Sequence, residues 1–156
     1  MLFKTGKHAG MSTEEVLLKE PDFAQWYVSK YPDAKHAKDF KRLIRVFDAK
    51  PLLKKCSCDK VAIYANASEG SASLMFRCDS CSLYSGARGL SCTIDSFGQA
   101  LGHIDLTFGG TRGGKRTIVR ELAEAKGLPR RVGKTQAEAF FAPPKANVLV
   151  TTLWGD

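Results

Sequence analysis

Four cysteines in two close pairs are the residues best placed to do chemistry. Cys56-Ser57-Cys58 is followed, after 19 intervening residues, by Cys78-Asp79-Ser80-Cys81. Each step is short enough for a tight turn to aim both sulfurs at one ion, and tetrahedral Zn2+ accepts four thiolates. Between the pairs lie two β-like runs, VAIYA (61–65) and SLMFRC (73–78), around the turn-rich NASEGSA. A hairpin of these runs brings the pairs together, as in a zinc ribbon. With Cys56, Cys58, Cys78 and Cys81 all engaged, no coordination position stays open for substrate. The expected cofactor is therefore a structural Zn2+ and not a catalytic one. Three readings compete. Disulfides conflict with the odd count of five cysteines and with the lack of a secretory leader. A redox pair at Cys78 and Cys81 lacks a thioredoxin-like βαβ setting, and burial as small apolar residues does not account for two close pairs. Cys92 is the spare thiol, read as core, and His103 is read as an ordinary position in a strand HIDLTF (103–108).

A second stretch, GGTRGGKRT (109–117), nearly spells a nucleotide phosphate loop. Gly109, Gly114 and Lys115 fit GxxxxGK[ST], but Arg116 stands where a hydroxyl should hold magnesium, and Thr117 comes one residue late. A phosphate loop also needs a parallel sheet around it, and only 39 residues follow Thr117. The reading that survives is a clamp for a nucleic-acid phosphate, with glycine amides at a helix N-terminus and Arg112, Lys115 and Arg116 around them.

Charge supports such a partner. The chain has 156 residues and a net charge of +8. Residues 1–55 hold 12 Lys/Arg against 7 Asp/Glu (+5), residues 56–108 hold 3 against 5 (−2), and residues 109–156 hold 9 against 4 (+5). Two basic segments flanking an acidic middle suit a polyanion, because each lysine or arginine on a phosphate backbone releases condensed counterions. A basic surface that merely maintains solubility is the competing reading. No apolar run reaches the roughly 18 residues needed to span a bilayer. The start MLFKTGKHAG lacks the apolar centre of a signal peptide. These features imply a soluble intracellular protein, cytoplasmic or nuclear according to the organism, with no membrane partner.

The elements that must position these groups form an α+β chain in three segments. Residues 1–52 read as a helical module. Ser12 or Thr13 caps a helix from Glu14, with Glu15 completing a capping box. A second helix runs from Pro21 to Tyr31 and ends at Pro32. The third, Asp33 to about Asp48, places Phe40, Leu43, Ile44 and Phe47 on one apolar face and Lys35, Lys38, Lys41, Arg42 and Arg45 on the other. Residues 53–108 read as the zinc-ribbon-like β region, with strands SCTID and HIDLTF after the hairpin. Residues 109–156 read as the basic glycine loop, a helix from Lys115 to Lys126 carrying Arg120, a loop with Arg130, Arg131 and Lys134, a helix from Thr135 to Phe141, and a terminal strand NVLVTTLW. Phe140 and Phe141 are read as core anchors.

The segment GKHAGMSTEEVLLKEPDFAQWYV (6–28) resembles the small domain found at the C-terminus of exodeoxyribonuclease X and related nucleic-acid-processing proteins. The matching residues are Gly6, Lys7, His8, Ala9 and Gly10 of a GKHKG-like loop, Glu15 and Val16 of an "EV" helix, and Asp22, Phe23, Gln25 and Trp26 of an aromatic-x-x-Trp helix. Thr5 and Ala9 depart from the pattern. The resemblance implies a nucleic-acid-binding accessory module, with Lys7 and His8 facing the backbone and Phe23 and Trp26 in the core. The cysteine region resembles GRF-type ribbon fingers, with Phe76 and Tyr84 beside the closing pair.

Together these observations lead to an expected function: a non-enzymatic accessory protein that binds DNA, or RNA, through phosphate with low sequence specificity. It would act in repair, replication, recombination or genome packaging. A structural subunit docking on a polymerase, capsid or other large complex is the second class. A small nuclease or nucleotide hydrolase using Lys115, or Cys92 with His103, is the third. It lacks an ordered acidic set for metals and a third group to orient the histidine.

Overall fold

The computed structural model describes residues 1–82 and 91–144. The expected terminal strand NVLVTTLW and Tyr84 lie outside the described residues. The chain is α+β: seven helices and a three-stranded antiparallel sheet among the described residues. In order they are α1 (Thr13–Lys19), α2 (Pro21–Lys30), α3 (Lys35–Ala49), β1 (Tyr64–Ser68), β2 (Leu74–Arg77), α4 (Asp79–Ser82), β3 (Ser91–Thr93), α5 (Phe97–Thr107), α6 (Arg112–Ala125) and α7 (Lys134–Phe141). No helix among the described residues is long and apolar enough to cross a membrane.

The helix ends follow from local chemistry. Ser12 Oγ accepts from Glu15 N at 3.2 Å and starts α1. Glu15 does not close the reciprocal half of the expected capping box; its carboxylate takes Lys19 Nζ at 2.8 Å. Pro21 opens α2, where its missing N–H costs nothing. In α3, Phe40, Leu43 and Phe47 are fully buried, as their spacing requires. The C-terminal carbonyls of α3 are satisfied by a buried lysine: Lys126 Nζ donates to Phe47 O at 2.9 Å and Lys50 O at 2.8 Å. A cation there also complements the helix dipole.

Two expected strands need correction. HIDLTF is helical, the last part of α5. Phe97, Ala100, Leu101 and Ile104 recur at helical spacing and are buried, and Ser96 Oγ caps Gln99 N at 3.1 Å. His103, Asp105 and Thr107 alternate with Ile104, Leu106 and Phe108 and imitate a strand, yet His103 is buried and Leu106 exposed, as a helix dictates. The first hairpin strand is β1, Tyr64–Ser68, three residues later than VAIYA. The chain from Lys54 to Val61 is used by a turn of its own, with Ala62 N donating to Lys54 O at 2.9 Å. Strand β1 is central, paired with β2 (Tyr64 opposite Arg77, Ala67 opposite Leu74) and with β3 (Asn66 opposite Thr93).

One hydrophobic core draws on all three sequence segments. Phe47 of α3, Ile94 after β3 and Ile118 of α6 belong to it, together with Phe140 and Phe141 of α7, the anchors expected from sequence. Helix α1 packs against α2, α3, α6 and α7. The sheet contributes Ala65, Ala67 and Leu74 to the same core.

Candidate metal centre and nucleic-acid interface

Cys56 and Cys58 sit on the tight turn before β1, where Asp59 N donates to Cys56 O at 3.0 Å and Asp59 adopts φ +68. Cys78 follows the last residue of β2, and Cys81 lies on α4. The hairpin thus brings two turns to one point, and the four sulfurs all lie within 4.8 Å of one another, Cys58 and Cys78 at 3.5 Å. A tetrahedral ion with metal–sulfur bonds of about 2.3 Å needs sulfurs about 3.8 Å apart. The four cysteines are close enough to hold a metal ion, and all are free thiols. Backbone amides of Cys58 and Cys78 hold the Cys56 thiol down at about 6. The neighbouring sulfurs of Cys58, Cys78 and Cys56 push Cys81 up to about 12. His103 stands apart from this cluster, buried in α5.

The basic residues divide into two kinds. On α3, Lys35, Lys38, Lys41, Arg42 and Arg45 are exposed along the helix face opposite its buried stripe. Asp39 interrupts them, but its carboxylate is held between Thr13 Oγ1 and Arg42, at 2.8 Å from Arg42 Nη2. Arg130, Arg131 and Lys134 are also exposed, on the α6–α7 connection and the start of α7.

The glycine-rich stretch is different, and the phosphate-clamp expectation is corrected there. Gly109 and Gly110 turn the chain between α5 and α6 with φ +65 and +64. Thr111 Oγ1 caps Gly114 N, so that amide is already used. Lys115 is 9% exposed and pairs with Asp105 at 2.8 Å and Gln25 at 2.7 Å. Arg116 binds Glu20, and Arg112 reaches Asp22 at 3.2 Å. Arg120 pairs with Glu124 one turn on, at 2.9 Å. These cations dock α6 onto α2 and α5 or pair within α6; Lys115 is closed to a phosphate. A P-loop is excluded because a helix and not a strand precedes the glycines.

The GKHAG loop folds back on itself. Phe3 N donates to Met11 O at 3.0 Å and Gly10 N to Phe3 O at 2.9 Å. Between this loop, α2 and the start of α3 lies a cleft of about 960 Å³. Its walls are aromatic: Phe3, His8, Phe23, Trp26, Tyr27 and His36. Trp26 is 49% exposed, so it is not the core residue the sequence suggests. Phe23 and Tyr27, one turn apart, take the core side against Phe3, with ring centroids 6.0 and 6.2 Å from it. Lys4, Lys7, Lys35 and Arg112 form a basic rim. His8, expected to face a phosphate, is instead 6% exposed and packed on Phe23 at 4.1 Å. Burial holds its imidazole below the ordinary histidine value, outweighing nearby Glu20 and Asp22. Buried His8 Nε2 has no hydrogen-bond partner among the described residues, while Asp22 Oδ1 faces Arg116 Nε in an ion pair at 3.6 Å.

No family model, curated protein or solved structure matches the chain.

Cys92 and His103 do meet. Cys92 Sγ lies 3.3 Å from His103 Nδ1, and His103 Nε2 lies 2.7 Å from the Ser71 carbonyl oxygen. Ser71 is the orienting group that sequence inspection did not find. Its carbonyl requires the proton on Nε2, leaving Nδ1 to accept from the thiol. Cys92 is exposed and so is not the core residue the sequence suggests; partial desolvation raises its thiol above the ordinary value, and its bond to His103 joins β3 to α5.

Proposed function

We propose that this protein is a nucleic-acid-binding accessory protein, DNA favoured, that holds phosphate backbone without reading sequence. The observation that carries the reading is the face of α3, where Lys35, Lys38, Lys41, Arg42 and Arg45 are all exposed and the one acid among them, Asp39, is already paired. Cations on one rigid helix face gain from counterion release and impose no base preference. Arg130, Arg131 and Lys134 add exposed charge elsewhere on the surface. The likeness of residues 6–28 to the exodeoxyribonuclease X C-terminal domain points to the same partner, as does that of the cysteine region to GRF-type fingers.

Cys56, Cys58, Cys78 and Cys81 would hold a structural Zn2+. The donor set fits: four sulfurs converge, and two amide groups already favour a thiolate at Cys56. Bound there, zinc supplies cross-linking of the two turns and no chemistry on a substrate. Repair, replication, recombination and genome packaging are the settings in which such a protein would serve.

The test is a gel-shift series on DNA and RNA across salt. Binding should weaken steeply with salt, and the triple variant Lys38→Glu, Lys41→Glu, Arg45→Glu should flatten the log–log slope by about three. Absence of binding at low salt would turn the reading toward a protein-docking subunit.

A further inference from the structure

The cleft beneath the GKHAG loop has more structure than phosphate binding requires. Phosphate contacts need exposed cations; this cleft offers aromatic surface, with Trp26 half exposed and Lys30 Nζ 5.1 Å from its ring centroid. Its volume of about 960 Å³ is at the upper end of the roughly 300–1,000 Å³ usual for small-molecule pockets. His8 lines it, is more than nine-tenths buried, and keeps Nε2 without a partner. Buried polar atoms left in this state indicate a missing hydrogen-bonding partner.

We propose that this cleft takes an unpaired base of a single-stranded nucleic acid. The base stacks against Trp26 and neighbouring rings, while the strand's phosphates pass over the Lys4, Lys7 and Lys35 rim onto the basic face of α3. This rests on the nucleic-acid reading above and specifies which form of nucleic acid is held.

Three features select that ligand. Every base has a π-face, so stacking on aromatic rings holds a strand without regard to sequence, as the flat charge pattern also demands. Duplex bases are already stacked on one another and do not reach a wall of this kind. The rim is positive: Lys4, Lys7 and Lys35 stand free of the two acids in the lining, because Glu20 is bridged by Arg116 and Asp22 by Arg112. An acidic strand is therefore favoured over a neutral aromatic compound. The line of cations also continues from Lys35 to Arg45, about 15 Å along the helix, farther than one free nucleotide reaches.

The experiment uses the Trp154→Phe chain, in which Trp26 is the one remaining tryptophan. A single-stranded dT12 should quench Trp26 fluorescence saturably, and a blunt 12-base-pair duplex should not. Trp26→Ala should weaken dT12 binding at least about tenfold while leaving duplex binding within twofold. Lys7→Glu with Lys35→Glu, both on exposed positions, should weaken dT12 binding without changing the melting temperature, which guards against misfolding of the Trp26 variant. Unchanged dT12 affinity in Trp26→Ala, or equal quenching by duplex, would overturn the cleft assignment and leave backbone binding by α3 intact. Saturable quenching by dTMP at the dT12 affinity would reassign the cleft to a free nucleotide, and loss of all binding by every probe would remove both readings.

Discussion

Lys115 Nζ lies 2.8 Å from Asp105, joining α6 to the end of α5, while another of its protons reaches Gln25 of α2. A lysine in this position acts on stability and not on a ligand. Removing it takes the charged donor from Gln25 and the exposed Asp105, which still bond each other, and costs about 0.5–1.5 kcal/mol. Lys115→Met should lower the melting temperature and leave nucleic-acid affinity within twofold. A large loss of affinity with an unchanged melting curve would restore the phosphate-clamp role.

The glycines beside it separate in the same way. A Cβ on Gly114 would lie 2.7 Å from Phe108 Cδ1 and 2.8 Å from Thr111 Oγ1, whereas a Cβ on Gly113 meets nothing within 4 Å. Gly114→Ala should therefore destabilise by about 1–3 kcal/mol through overpacking. Gly113→Ala, in the exposed first turn of α6, should stabilise by about 0.5–1 kcal/mol. Urea titrations of the two variants give the comparison, and equal shifts would mean that close approach is not the reason for glycine at 114.

What the sequence made legible was whatever one local run encodes. The third helix was readable because Phe40, Leu43 and Phe47 repeat at 3.6-residue spacing. The cysteine cluster was readable because two tight turns need nothing beyond a hairpin to meet. HIDLTF misled because His103, Asp105 and Thr107 happen to alternate with apolar residues, although His103 is buried and Leu106 exposed. Arg116 looked free because its partner Glu20 is 96 residues away. The aromatic cleft was hidden for the same reason, as Phe3, Trp26 and His36 come together only when three separate segments pack. The signal that was available was Trp26 itself, a third ring within one turn of Phe23 and Tyr27.

Metal content should distinguish the clustered cysteines from the spare one. The purified chain should contain about one Zn2+, and Co2+ exchange should give thiolate charge-transfer absorption. Cys78→Ser should abolish both and expose the region from Lys54 to Ile94 to proteolysis, because an ion there would tie the turn before β1 to the end of β2. Cys92→Ser should keep full metal content, since its sulfur contacts His103 instead. A metal-free wild-type chain with the same proteolytic resistance would refute the tetrathiolate site.

Asp39 predicts the acid limb of the stability curve. Burial alone would raise its carboxyl, but hydrogen bonds from Thr13 Oγ1 and Arg42 outweigh it and hold the group below its ordinary 3.8. A carboxylate whose folded value is depressed contributes stability that is fully present above its unfolded value. That contribution drains away as pH falls through the folded one. The bond from Thr13 ties α1 to α3, so protonation loosens the packing beneath the basic face. Asp39→Asn should be less stable than wild type at neutral pH and should lose less further stability below about pH 3.8. Melting temperatures measured from pH 7 to pH 2 test this, and parallel curves for the two proteins would show that Asp39 does not carry the acid sensitivity.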